Sequence, residues 1–179
     1  FPIYVEGLPC KDKNYYATMN EGGLLISGII ANGGITKTGA GVLVLTSSSS
    51  TFTGPITINE GTIRFNHLNA NTTIPSSVIM NGGTLSLRAQ PGNRAITVTG
   101  GLTLSNNGIF ELSSNLSSNT NSINFGSCSA ITWTAGKTLL IRNWAGQAGI
   151  SGTGSKVFFG SNSSGLTASQ LSQISFEGF

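Results

Sequence analysis

The sequence predicts an all-β fold, a parallel β-solenoid of about 20 residues per coil, and three observations lead to it. A Gly-x-Leu-x-Leu pattern recurs along the chain. The step from Gly41 to Gly61 is 20 residues and from Gly61 to Gly83 is 22, a spacing typical of stacked coils. The composition joins 25 glycines and 38% hydrophobic residues to only 8% charged ones, which suits a folded chain rather than a disordered one.

The copies read Gly41-Val42-Leu43-Val44-Leu45, Gly61-Thr62-Ile63-Arg64-Phe65, Gly83-Thr84-Leu85-Ser86-Leu87, Gly101-Leu102-Thr103-Leu104, Gly108-Ile109-Phe110-Glu111-Leu112 and Gly136-Lys137-Thr138-Leu139-Leu140-Ile141. Each alternates as a half-buried strand does. Leu43/Leu45, Ile63/Phe65, Leu85/Leu87, Leu102/Leu104, Phe110/Leu112 and Leu139/Ile141 are therefore expected to point inward and stack as ladders. Thr62, Arg64 and Asn66 are expected outward.

A second strand precedes many copies, in Ile56-Thr57-Ile58, Val78-Ile79-Met80, Ile96-Thr97-Val98 and Ile131-Thr132-Trp133. Short turns such as Asn59-Glu60-Gly61 and Asn81-Gly82-Gly83 join the pairs. An antiparallel sandwich also has short strands with turn signals between them. Stacked coils, however, explain why equivalent residues return at equivalent offsets. The one helical expectation is a single turn at Thr167-Ala168-Ser169-Gln170-Leu171.

One domain accommodates the 179 residues. Residues 1–21 depart from the repeat and read as an N-terminal cap or a segment that pairs with another subunit. Residues 22–144 hold the repeats, and 145–179 form a last coil or cap. The solenoid's open ends suggest a homo-oligomer or a head-to-tail filament. The chain starts Phe1-Pro2-Ile3, which reads as a mature form after signal-peptide removal or as a fragment. No apolar run is long enough to span a bilayer.

The stretch from Lys37-Thr38-Gly39-Ala40-Gly41-Val42-Leu43-Val44-Leu45 through Phe52-Thr53-Gly54 to Gly61-Thr62-Ile63 resembles the autotransporter-associated β-strand repeat. The segment from Trp133 to Trp144, with Phe158-Phe159-Gly160, is similar to the end of large repeat-containing bacterial surface proteins. The resemblance implies a right-handed parallel β-helix. It also implies work outside the cell, as a secreted or surface passenger, adhesin or structural material.

Chemistry is sparse in the sequence. The six acidic residues, Glu6, Asp12, Glu21, Glu60, Glu111 and Glu177, form no close pair of the kind that glycoside hydrolysis uses. Glu60 in a turn and Glu111 on a strand are the only candidates for a polysaccharide-active enzyme, and both read as solvated. His67 lies in a loop with no nucleophile motif around it. No cofactor, metal or catalytic group is expected.

The formal charge of +3 is too diffuse for nucleic acid. It leaves room for surface glycans, with Trp144, Arg64, Arg88 and Arg142 as candidate contacts and Lys37 and Lys137 completing a basic stripe. Those charges also serve simply to keep a sheet face soluble. Trp133, in phase with Ile131, is expected in the core, and Trp144 exposed.

Cys10 and Cys128 read either as a disulfide tying the N-terminal segment to a later coil or as two buried thiols. Ser47 to Ser50 read as an exposed flexible turn. Asn71, Asn115 and Asn162 begin glycosylation-like triplets that arise readily in a Ser/Asn-rich chain.

Overall fold

The computed structural model describes residues 3–6, 23–66, 71–89, 93–114, 121–126, 131–144, 154–162 and 164–178. The chain runs through β1 (Ile3–Glu6), β2 (Gly23–Ile26), β3 (Ile35–Thr38), β4 (Val42–Leu45), β5 (Ile56–Ile58) and β6 (Thr62–Phe65). It continues with β7 (Thr72–Ile74), β8 (Val78–Met80), β9 (Thr84–Ala89), β10 (Arg94–Val98), β11 (Leu102–Leu104) and β12 (Gly108–Ser114). β13 (Asn121–Phe125), β14 (Ile131–Trp133), β15 (Leu139–Arg142), β16 (Lys156–Phe159), α1 (Ala168–Leu171) and β17 (Ile174–Phe176) complete it.

These strands form three sheets. The first has the order β1-β3-β5-β8-β11-β14, the second β2-β4-β6-β9-β12-β15-β17 and the third β7-β10-β13-β16. From β5 to β16 the chain visits the first, second and third sheet in strict rotation. Every strand pairing among the described residues is parallel. A parallel pair cannot be joined by a hairpin and needs a crossover, and here the crossover is the rest of the coil. That excludes the antiparallel sandwich.

The pairing registers show how the core is built. In the second sheet Leu24, Leu43, Ile63, Leu85, Phe110, Ile141 and Phe176 stand in one column. From Leu43 to Ile141 every member of that column is essentially buried. The first sheet adds Ile56, Val78 and Leu102, and the third adds Ile96, Ile123 and Val157. Burying a Val, Leu, Ile or Phe side chain contributes about 1.5–3 kcal/mol, so these columns supply most of the fold's driving force.

Two expectations need correction. Leu102 and Leu104 do not continue the Leu43/Leu45 series: β11 pairs with β8 in the first sheet, setting Leu102 on Val78 and Leu104 on Met80. Ile96 and Val98 lie in the third sheet, not with Ile56 and Val78. The cause is a third side to each coil. All three sides carry the same alternation, so the pattern alone does not say which side a strand occupies.

The 20-residue period also holds only at the start. The rise is 20 residues from Leu43 to Ile63 and 22 from Ile63 to Leu85. It becomes 25 from Leu85 to Phe110, 31 from Phe110 to Ile141 and 35 from Ile141 to Phe176. The solenoid therefore lengthens its coils toward the C-terminal end. The helical turn forms where expected, with Thr167 capping α1: its Oγ1 accepts from Gln170 N, and Gln170 Oε1 accepts from Thr167 N.

Candidate functional site

Lys37 stands where the ladder expects an apolar residue. It lies two residues beyond buried Ile35 on β3, in register with Ile58 on β5, and is itself fully buried. Its Nζ donates to the carbonyls of Thr38 at 2.8 Å and Gly39 at 2.6 Å, and at 3.5 Å to that of Glu60 in the coil above. The stem thus fills the column while the ammonium satisfies the carbonyls of the corner. Burial lowers its pKa from the ordinary 10.5, and the charge of Glu60 partly opposes this. Lys37 is therefore no part of an exposed basic stripe.

Gly61 closes the same corner. Its φ of +66° is in the left-handed region, and an added Cβ would press on the carbonyls of Gly39 and Gly41 and come within 2.6 Å of Lys37 Nζ. Only glycine fits there without strain.

On the opposite face of the second sheet, Val44, Arg64, Ser86, Glu111 and Arg142 share one row. The alternation places Arg64 on this face as expected, yet Arg64 is only 6% exposed and Ser86 fully buried. Arg64 Nη2 lies 3.1 Å from Glu111 Oε2, and Arg64 Nε donates to Ser86 Oγ at 3.1 Å. Ser86 Oγ in turn donates to Glu111 Oε2 at 2.6 Å, and Asn143 Nδ2 donates to Glu111 Oε1 at 3.1 Å. This network corrects two expectations, since Arg64 is not presented to solvent and Glu111 is not a loose surface carboxylate. One coil further, Arg142 Nε pairs with Glu177 Oε1 at 3.0 Å.

Trp144 also departs from expectation. It packs against the core, with its Nε1 donating to Ser155 O at 2.8 Å and its ring centroid 4.9 Å from that of Phe176. Near it, an apolar cavity of about 400 Å³ opens between the second and third sheets, lined among others by Ile141, Phe159, Leu171, Ile174 and Phe176. Trp133 is packed against the core as expected and donates from Nε1 to Lys137 O.

Arg88 is half-buried at the end of β9, and Glu60 is exposed in its turn. Ser50 is buried, with its Oγ accepting from Ile30 N, so it anchors the loop expected to be a flexible turn. Asn71 Oδ1 accepts from Ala95 N, and Asn162 Oδ1 from Ser164 N. Cys10, Cys128, His67 and Asn115 lie outside the described residues. Among the described residues no three His, Cys, Asp or Glu side chains are grouped to hold a metal ion, and no helix is long and apolar enough to cross a membrane.

The segment holding Lys37 and Gly61 is the one that decides the comparison. Residues 35–65 match the passenger-associated-transport-repeat. The match begins at β3 and ends at β6, so it takes in one full coil with both halves of the Lys37 corner. No curated protein and no solved structure matches the chain.

The sequence carries no signal for Ser86 and Asn143, which hold Glu111. Nothing local marks them, because the hydrogen-bond network that unites them with Arg64 exists only across coils. Lys37 was legible in principle, since it alternates in phase with Ile35.

Proposed function

We propose that the chain is a structural module of an extracellular bacterial passenger-type protein, a right-handed solenoid that works as scaffold and not as catalyst. The observation that carries this reading is the unbroken column from Leu43 to Phe176 in the second sheet, begun within the passenger-associated-transport-repeat at residues 35–65. Crossovers between parallel strands are right-handed in about 98% of cases, which supports the handedness. The non-catalytic part is supported by Glu111, which is engaged by Arg64, Ser86 and Asn143.

The test is surface labelling of the bacterium that makes the protein. Antibody and added protease should reach it on intact cells; a protein protected until lysis overturns the extracellular reading. Release of sugar from a polysaccharide panel that disappears in Glu60→Gln or Glu111→Gln would overturn the scaffold reading.

A further inference from the structure

We infer that the outer side of the third sheet carries a binding site for an acidic saccharide, centred on Lys156 and Phe158. A shallow cleft of about 280 Å³ lies there, lined by Asn71, Asn93, Arg94, Asn121, Lys156 and Phe158 with Ala95 and Ser122 between them. It falls just below the range of drug-sized ligand pockets, about 300–1,000 Å³.

The strand pattern builds the cleft. On β16 exposed Lys156 and Phe158 alternate with Val157 and Phe159, which pack against the core. Register places Lys156 beside Ser122, and Ser122 beside Ala95. Phe158 stands next to Asn124 and is 43% exposed. Residues two apart on a strand face the same side about 7 Å from one another, so an ammonium and an aromatic face lie within the span of one or two sugar rings.

The chemistry of the lining selects the ligand. The exposed amide of Asn71 and the hydroxyl of Ser122 match sugar hydroxyls, an aromatic face receives the apolar side of a pyranose, and exposed Lys156 with half-buried Arg94 supplies positive charge with no carboxylate in the lining. Among the described residues Lys156 makes no ion pair. Asn71 uses its Oδ1 on Ala95 N, which leaves its Nδ2 group as a donor. Two cations are too few for the counterion-driven binding of nucleic acid. The site is separate from Trp144, Arg64 and Arg142, which pack or pair around the second sheet.

The test uses the whole chain and titrates polygalacturonate oligomers against neutral cello-oligomers of the same length by calorimetry. The acidic oligomer should bind, the neutral one at least tenfold more weakly, and added salt should weaken the acidic complex. Lys156→Ala and Phe158→Leu should each reduce affinity at least tenfold without changing the melting temperature, while Lys137→Ala should have no effect. Equal binding of both oligomers, equal loss with Lys137→Ala, or no binding of polygalacturonate overturns the inference. The scaffold reading survives any of these failures, because it does not depend on this cleft.

Discussion

A lysine inside an apolar column carries a cost that only its partners offset, and Lys37 shows how the balance falls. Replacing it with Met keeps the stem's volume beside Ile58 but removes the donor from the carbonyls of Thr38 and Gly39. Leaving buried acceptors without a partner costs about 1–3 kcal/mol, so Lys37→Met should lower stability to denaturant by that amount at neutral pH. The pH dependence follows from the lowered pKa. Between that lowered value and 10.5 the unfolded chain holds a proton that the folded chain has released, so folded stability rises with pH across this window. Below it Lys37 is charged in both states and the folded state bears the full desolvation cost. The margin of the native protein over Lys37→Met should therefore widen as pH climbs from neutral toward 10.5. A constant or shrinking margin in urea titrations would show that burial does not dominate this site.

Individual strands of three to seven residues have little stability alone, and their contribution comes from stacking on the coils above and below. The clearest case is the aromatic stack in the wide part of the solenoid. The ring of Phe125 on β13 lies 5.5 Å from that of Phe110 on β12 and 5.8 Å from that of Phe159 on β16, stacked with planes 19° and 8° from parallel. Because Phe125 is fully buried between two sheets, Phe125→Ala removes a ring and leaves a cavity that both neighbours border. The expected loss is about 3–5 kcal/mol, read as a shift in the denaturant midpoint with little change in slope. A loss under 1 kcal/mol would mean that the stack relaxes around the gap. This stack also marks the limit of what the sequence reveals. Ile63 and Phe65 are legible as inward residues because strand alternation is local. That Phe110 meets Phe125 and Phe159, or that Arg64 meets Glu111, depends on how many residues each coil takes, and the coils lengthen unevenly. Which side of its coil Leu102 occupies is hidden for another reason, because all three sides carry the same alternation. Within the cleft, Lys156 and Phe158 alternate visibly, but nothing in the sequence brings Asn71 and Arg94 beside them.

The change in coil length decides how whole molecules can meet. Among the described residues the second sheet runs from β2 to β17: β2 exposes Leu24 and Leu25, about 45% each, and β17 exposes Phe176 at 38%. Leu24 and Phe176 are the two ends of one column, so setting β2 of a second copy on β17 would continue both the hydrogen-bonded ladder and the apolar stack. The third sheet tells against a full match. Among the described residues its strands begin at β7, so the coil of β1 and β2 offers no described strand to cover β16 or the cavity lined by Trp144, Phe159 and Leu171. A contact confined to one strand edge buries far less than the roughly 1,200–2,000 Å² of a stable interface. Head-to-tail association of the 179-residue chain should accordingly be weak, with monomers at low concentration and a reversible rise in sedimentation coefficient as concentration increases. Leu25→Lys should abolish that rise by placing a charge on the β2 edge. Long fibres from dilute protein would show that the two ends fit despite the unequal coils, and would return the filament to the centre of the molecule's function.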